Sequence, residues 1–243
     1  MTTEEEELSL EAVLYARKNS EELVNKFVDD AIFPPENGIP ISVFMAGSPG
    51  AGKTEISKAL LKTLEHKGNY KKVVRIDPDE IREFLPGYNG HNSFLFQRSC
   101  SLIVDKIIDR VLAQRKNFIL DGTFASMEKA RQNITRSLER GRKVVIQYVY
   151  QDPLSAWELT QKRELKEGRN IPKDAFIEQL FSAKGNVDKI KQEYGEKIEV
   201  DVIIKDFKTQ EEKVLVKVER VDSHVSFSYS KDELVQLLHE QYI

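Results

Sequence analysis

One segment of the chain has the residue types and the spacing of a phosphate-binding loop, Gly-x4-Gly-Lys-Thr. Glycines let backbone N–H groups curve around phosphate oxygens, a lysine adds a positive charge, and a threonine hydroxyl can bind Mg²⁺. The segment lies between an apolar run and a helical pattern, which makes a chance glycine turn the weaker interpretation. We predict that these residues bind a nucleoside triphosphate: Gly47, Ser48, Pro49, Gly50, Ala51, Gly52, Lys53 and Thr54.

Three acidic residues follow the ends of two apolar runs. Asp77 and Asp79 come after residues 73–76, and Asp121 comes after residues 117–120. In open α/β sheets the reacting groups lie beyond the C-terminal strand ends, where one carboxylate can accept a substrate proton and another can hold Mg²⁺. We predict Asp121 as the Mg²⁺ residue and one of Asp77 and Asp79 as the proton acceptor. The alternative is a helix-capping role, which Asp77 before a proline fits well.

Two arginines bracket a predicted helix break near the fourth strand. Arg163 and Arg169 lie on either side of Gly168, and Pro172 follows closely. Guanidinium groups can neutralise the charge on a phosphate in transfer, and a mobile segment that carries them can exclude water. Two solvated arginines on a charged helix are an equally good interpretation of the pattern.

The segments around these motifs predict an α/β fold with a P-loop kinase-like parallel sheet that is flanked by helices. Short apolar runs alternate with helical patterns, which is typical of parallel strands joined by helices. The first run, residues 39–46, is almost entirely apolar, as expected for a strand that is buried on both faces. Near the C-terminus, residues 200–205 and 213–218 predict a small strand pair, and residues 231–242 a closing helix.

A helical prefix precedes the first strand. Residues 2–7 are acidic and predict a solvent-exposed, irregular tail, whereas residues 8–32 have helical spacing that Asn19 interrupts. We therefore divide the chain into a helical prefix, residues 1–37, and a P-loop domain, residues 38–243.

The overall composition restricts the class of protein and its partners. A net charge of −3 gives no basic surface for nucleic acid, so we consider a nucleic-acid partner unlikely on this pattern. The single cysteine, Cys100, suits a reducing compartment. Neither a signal peptide nor an apolar run of ~18 residues is visible, and we expect a cytoplasmic protein without a membrane partner.

Taken in order along the chain, these motifs resemble those of the zeta toxin family, which are P-loop kinases. The resemblance covers residues 8–243 and depends on the joint order of the segments more than on any single one besides the P-loop. The segments are FMAGSPGAGKT at 44–54, RIDPDEIR at 75–82, a loop with Pro86 and Tyr88, ILDGT at 119–123, and the stretch from Arg163 through Gly168 and Arg169 to Ile171 and Pro172.

The resemblance implies a kinase that uses ATP or GTP with Mg²⁺ to phosphorylate the 3′-hydroxyl of the amino sugar in UDP-N-acetylglucosamine. It implies that Lys53 and Thr54 bind the phosphates and Mg²⁺, and that Asp79 is the base that receives the proton of the sugar hydroxyl. Arg163 and Arg169 would grip the nucleotide phosphates. Antitoxins of this family are separate small helical proteins or fused domains. No fused one is evident in this sequence, and the resemblance leaves open whether a separate antitoxin protein is a partner.

The sequence departs from the family pattern at two positions. A family glutamate that contacts substrate aligns with Asp105, which is one methylene shorter, and the arginine expected shortly after Thr123 is replaced by the segment 124–126. Carried over by position, Asp79, Asp105 and Thr123 would face the acceptor. Both differences bear on which sugar nucleotide is bound rather than on phosphate transfer itself.

Two other functions remain open at this stage. A P-loop kinase acting on a polynucleotide end, another metabolite or a nucleotide cofactor would use the same scaffold, because function depends on the site and not the fold. A regulatory nucleotide-binding module would bind nucleotide without turnover, even after the acidic residues are removed.

Overall fold

Six strands form one sheet in the computed structural model, which describes residues 2–32, 34–35, 38–66, 73–227 and 229–240. The strands are β1 (Ile41–Ala46), β2 (Val74–Ile76), β3 (Phe118–Leu120), β4 (Lys143–Gln151), β5 (Ile198–Asp206) and β6 (Glu211–Leu215). Their order in the sheet is β2-β3-β1-β4-β5-β6. The pairs among β1 to β5 are all parallel, and β6 runs antiparallel to β5 at one edge. The predicted α/β fold with a mostly parallel sheet is confirmed.

The described residues also form nine α-helices. They are α1 (Thr3–Lys18), α2 (Ser20–Phe27), α3 (Lys53–His66), α4 (Pro78–Arg82), α5 (Gln97–Ala113), α6 (Met127–Leu138), α7 (Pro153–Glu167), α8 (Lys173–Tyr194) and α9 (Lys231–Glu240). None of the described helices is both long and apolar enough to cross a membrane. The predicted closing helix is present as α9, and residues 241 and 242 of that prediction lie outside the described residues.

The central strand β1 is covered on both of its faces. Val43 and Met45 pack in a hydrophobic cluster with side chains of α3, whereas Phe44 and Ala46 belong to a larger cluster with side chains of α5 and α8. Successive side chains of a strand point to opposite faces of the sheet, so the two clusters lie on opposite sides of it. This explains why the first apolar run shows no polar alternation.

The predicted C-terminal strand pair belongs to the main sheet. β5 pairs with β4 in parallel from Ile198 to Lys205, and only β6 adds an antiparallel partner. The C-terminal end of β5 therefore lies at the same edge of the sheet as the ends of β1 and β4.

The helical prefix packs against the rest of the described chain. α1 and α2 meet at Asn19, as the interrupted spacing predicts, and they contact α5. Their buried residues, which include Ala16 and Leu23, belong to the same hydrophobic cluster as Phe44 of β1. The prediction of an irregular acidic tail is wrong, since α1 begins at Thr3. The Thr2 side chain and Glu5 cap that helix reciprocally, in a capping box.

Candidate active site

The P-loop joins the end of β1 to the first turn of α3, and its glycines are required by its shape. Gly47, Gly50 and Gly52 all have positive φ angles, of 135°, 73° and 88°. A side chain at Gly47 would collide with the Val149 carbonyl, and one at Gly50 with the Ala156 carbonyl. The loop is thus held between β4 and α7, with its N–H groups and the α3 N-terminus positioned as in an anion-binding site.

Lys53 is half-buried inside this loop. Its Nζ donates hydrogen bonds to the carbonyl oxygens of Ser48 at 2.6 Å and Gly47 at 3.1 Å. Burial lowers the pKa of Lys53 to about 8, and the negative charge of Asp121 opposes that shift only in part. The ammonium is therefore held by carbonyl oxygens that phosphate oxygens can replace.

The ends of β2 and β3 bring two of the predicted acids together on one arginine. These strands are parallel neighbours, and Arg75 donates hydrogen bonds to Asp77 Oδ2 and to Asp121 Oδ2, each at 2.5 Å. Arg75 Nε and Asp121 Oδ2 also contact the hydroxyl of Ser57, at 2.9 and 2.7 Å. Although burial opposes it, the charges of Asp77 and Asp121 raise the pKa of Arg75, so this cation is permanently charged.

Asp77 has the geometry of a helix cap. Its Oδ1 accepts a hydrogen bond from the backbone N–H of Asp79 at 2.9 Å, and Pro78 is the first residue of α4. Burial, followed by the nearby charges of Asp79 and Asp121, raises the pKa of Asp77 to about 6. Asp77 therefore sets the direction of α4 and the position of Asp79, which supports Asp79 as the acid that faces the acceptor.

Asp79 is surrounded by three guanidinium groups. Arg82 donates to its Oδ1 at 2.5 Å, Arg169 donates to its Oδ2, and Arg163 lies 3.5 Å from Oδ2. The Asp79 side chain is still 21% exposed, so its carboxylate is accessible to a ligand. Burial, opposed by the charge of Asp79, lowers the pKa of Arg169 from its ordinary value.

The helix break predicted between the two arginines is present. α7 ends at Glu167 and is capped by Gly168, whose φ of 73° is left-handed, and Arg169 after the cap contacts Asp79. Arg163 from the last turns of α7 and Arg169 after the break thus approach the same carboxylate. The described geometry favours a shared site over two solvated arginines.

A cavity of about 350 Å³ opens beside this cluster. Its lining combines two carboxylates and two guanidinium groups with a phenol and an amide. The lining residues are Asp79, Glu83, Tyr88, Asn89, Gly90, Arg163 and Arg169. Hydroxyl-rich polar ligands suit such a lining better than apolar ones, since it offers both donors and acceptors.

Two residues predicted to face the acceptor lie outside the lining of this cavity. Asp105 on α5 accepts a hydrogen bond from Lys129 at 2.6 Å, and it lies eight residues, about 12 Å at 1.5 Å per residue, along the helix from Gln97. Gln97 is the residue that contacts Arg82 of the Asp79 cluster. Thr123 lies beside the P-loop, because its carbonyl oxygen accepts a hydrogen bond from Gly47 N. The cavity lining contains neither Asp105 nor Thr123.

The candidate Mg²⁺ residues have oxygen donors of the kind that Mg²⁺ prefers. Thr54 is half-buried in the first turn of α3, and Asp121 is buried at the end of β3. Their hydroxyl and carboxylate oxygens suit a small hard cation that keeps several waters. Because Arg75 and Ser57 already bind Asp121 Oδ2, this carboxylate fits contact with a metal through water better than direct coordination.

A family model described as zeta toxin matches residues 24–223 of the chain. The match begins within α2 and includes the P-loop, the Asp79 cluster and the whole sheet. A search of curated proteins finds no match to the sequence.

Several solved structures share the fold at low sequence identity. A chain of the PezAT chromosomal toxin–antitoxin system of Streptococcus pneumoniae is 15% identical with a TM-score of 0.63, covering 99% of this chain and 96% of that one. A chain of the AvrRxo1-ORF1:AvrRxo1-ORF2 structure with sulphate ions is 14% identical with a TM-score of 0.59, covering 98% and 73%. The structure of the same pair with ATP gives 13% identity and a TM-score of 0.58, covering 98% and 73%.

Proposed function

The chain belongs to the zeta toxin family, and from that premise we propose that it is a kinase that transfers the γ-phosphate of ATP or GTP to a hydroxyl of a sugar nucleotide. The acceptor in this proposal is the 3′-hydroxyl of UDP-N-acetylglucosamine. The observation that supports it most directly is Asp79, a carboxylate at the edge of a polar cavity, in contact with two arginines from the α7 break.

The P-loop and Lys53 form the donor side of the proposed site. Lys53 Nζ contacts carbonyl oxygens of the loop, and it would exchange them for the outer phosphates of the nucleotide. Thr54 and, through water, Asp121 would hold Mg²⁺. When bound, that ion neutralises the charge of the β- and γ-phosphates. The ATP in the structure of one neighbour supports ATP as the first nucleotide to test.

Asp79 is the proposed base on the acceptor side. A base must reach the hydroxyl whose proton it removes, and Asp79 is the acid that lines the cavity and also contacts Arg163 and Arg169. When nucleotide binds, its phosphates compete for these two guanidinium groups. If the two guanidinium groups move from Asp79 to the phosphates, a carboxylate oxygen of Asp79 becomes free to accept a hydrogen bond from the incoming hydroxyl.

A different small-molecule acceptor is the second candidate. Asp105, at the position of a family glutamate that contacts substrate, forms an ion pair with Lys129 at 2.6 Å, and segment 124–126 lacks the family arginine. These features support a kinase whose donor side follows the family while its acceptor differs. The same P-loop would serve both candidates.

The proposal extends to a partner and a compartment. One similar structure comes from a toxin–antitoxin system, which supports an antitoxin protein as a partner of this chain. The single cysteine, Cys100, is buried and unpaired, as suits a cytoplasmic protein.

The test is an untargeted metabolite screen with labelled ATP and Mg²⁺, beside a direct assay with UDP-N-acetylglucosamine, read by mass spectrometry. We expect a phosphorylated sugar nucleotide from the wild type and a rate lower by on the order of 10²-fold or more for Asp79→Asn. Equal product from Asp79→Asn would exclude the assigned base. A product with another metabolite only would favour the second candidate, and nucleotide binding without turnover of any metabolite would indicate a regulatory module.

A further inference from the structure

The C-terminal end of β5 lies against the P-loop. A Cβ atom at Gly52 would lie 2.8 Å from Nζ of Lys205 and 3.2 Å from its Cδ, so the Lys205 side chain crosses the outer face of this loop. On the neighbouring side, the Ala156 carbonyl and the Thr160 hydroxyl of α7 approach Gly50. The P-loop is therefore bordered by α7 on one side and by the β5 end on the other.

An exposed aromatic ring stands at the same corner of the molecule. Phe207 follows Lys205 by two residues, which places their Cα atoms within about 7 Å of each other. Its side chain is 47% exposed. Lys162 of α7 brings its Nζ to 5.9 Å from the ring centroid, so Phe207 lies beside both α7 and the end of β5. The Asp79 cavity is lined by other residues.

We propose that Phe207, Lys205 and Lys162 form a base subsite, in which the purine base of the nucleoside triphosphate stacks on Phe207. This inference rests on the proposed function only for the presence of a triphosphate in the P-loop. Lys205 contacts the inner, sugar-proximal phosphate, and Lys162 faces the polar edge of the purine.

The chemistry of these side chains matches that of a purine nucleotide. A purine has a wide flat π-face, which stacks on an aromatic ring, and an edge with nitrogen or oxygen acceptors. Two lysines beside one aromatic ring provide ammonium donors for those acceptors and for phosphate. The Lys162 side chain is 59% exposed, so a base can displace it from the ring without breaking a buried contact.

The location also fits the order of groups in a nucleotide. The P-loop binds the phosphates, and Lys205 reaches the loop from the strand end that leads to Phe207. From Gly52 outward, the ammonium group of Lys205 therefore comes first and the aromatic ring of Phe207 second. A triphosphate followed by a base has its charged and flat parts in that sequence.

The experiment measures the affinities of ATP and of inorganic tripolyphosphate for the full chain by calorimetry. Phe207→Ala is expected to weaken ATP binding about tenfold, which corresponds to about 1.4 kcal/mol. Its affinity for tripolyphosphate stays at the wild-type value, because that ligand has no base. Phe207→Tyr, which keeps the aromatic face, is expected to retain ATP affinity, whereas Phe207→Leu loses it.

Phe84→Ala is the matched control. Phe84 is also exposed, at 42%, and also has a lysine over its ring, with Lys26 Nζ at 5.4 Å, but it packs on α2. We expect it to bind ATP as the wild type does. Equal ATP affinity of Phe207→Ala and wild type, or equal losses for ATP and tripolyphosphate, would overturn the base subsite and leave the proposed function intact. A wild type that binds neither ligand would overturn both.

Discussion

Arg82 lies three residues after Asp79 on α4 and donates a hydrogen bond to Asp79 Oδ1 at 2.5 Å. A second nitrogen of the same guanidinium donates to Gln97 Oε1 of α5 at 2.7 Å, and the arginine is buried. Arg163 and Arg169 instead approach Oδ2 of Asp79. Arg82 therefore fixes one carboxylate oxygen of the proposed base, while the other faces the arginines near the cavity.

Arg82 positions the Asp79 carboxylate in this arrangement. Replacing it is therefore expected to lower the rate of turnover without changing the binding of ATP. We expect Arg82→Gln to lower kcat by about 10- to 100-fold, because small displacements of a reacting group are costly in rate. The affinity for ATP is expected to stay within about twofold of the wild-type value, because Arg82 contacts Asp79, the proposed catalytic base, and not the P-loop. Steady-state kinetics with the identified acceptor and calorimetry with ATP measure the two quantities.

Two companions make that result interpretable. Arg82→Lys keeps the charge and is expected to restore part of kcat, and Arg131→Gln, which removes an exposed pair with Glu193, is expected to leave kcat unchanged. A folded Arg82→Gln protein with wild-type kcat would contradict the positioning role.

The buried ammonium of Lys53 makes nucleotide binding pH-dependent. Its pKa of about 8 in the free protein means that the charged form is lost as the pH rises through 8. Bound phosphates favour the charged form, so the pKa is higher in the complex, and ATP affinity falls above pH 8 by up to about tenfold per pH unit. ATP titrations between about pH 6.5 and about pH 9.5, a range that spans the pKa of Lys53, measure this slope.

Lys53→Arg is the control for that slope, because arginine stays protonated throughout this range. Its ATP affinity, although altered by the larger side chain, is expected to be flat with pH above 8. A wild-type affinity that does not change between about pH 7 and about pH 9, one unit either side of the Lys53 pKa, would refute the link to this lysine.

Two Gly→Ala substitutions, one in the P-loop and one in α8, are expected to have opposite effects on stability. At Gly50 a methyl group would collide with the Ala156 carbonyl at a φ of 73°, so we expect Gly50→Ala to cost about 1–3 kcal/mol of stability and to weaken ATP binding. Gly185 lies within α8, where an added Cβ meets nothing within 4 Å. Gly185→Ala is expected to stabilise the protein by about 0.5–1 kcal/mol. Urea unfolding compares them, and a Gly50→Ala protein as stable as the wild type would contradict the packing of α7 on the loop.

The sequence was sufficient to predict the parts of the site that depend on local spacing. The P-loop has a fixed motif, and Asp77, Asp79 and Asp121 follow strands whose parallel pairing brings their ends to one edge. The Arg75 contact is harder to infer, because it joins residues 46 positions apart and depends on β2 lying next to β3. No pattern of residue spacing in the sequence predicts that β2 and β3 are neighbours in the sheet.

Glu83 and Asn89 of the cavity lining, and Arg82 beside it, were missed for a similar reason, whereas Asp79, Arg163 and Arg169 of the lining were among the predicted residues. Glu83 and Asn89 have no motif of their own, and Arg82 resembles any charged residue on a short helix. Arg82 lies in the RIDPDEIR segment, Glu83 directly follows it, and Asn89 lies in the glycine-containing loop after it; these positions were the one available signal. Phe207 was missed because a single exposed aromatic residue is ordinary in a sequence, and only its position two residues after Lys205, whose side chain reaches the P-loop, distinguishes it.

The shared hydrophobic core of the helical prefix and the sheet predicts that the two unfold together. Leu23 of α2 is 1% exposed and belongs to the same cluster as Phe44 of the central strand, so the division at residue 37 crosses a shared core. We expect Leu23→Ala to destabilise the whole chain by about 2–5 kcal/mol in a single urea transition. Leu14→Ala on α1, where the leucine is 54% exposed, is expected to change stability by less than about 0.5 kcal/mol. Two separate transitions, with only the first shifted by Leu23→Ala, would instead show that the prefix unfolds as an independent unit.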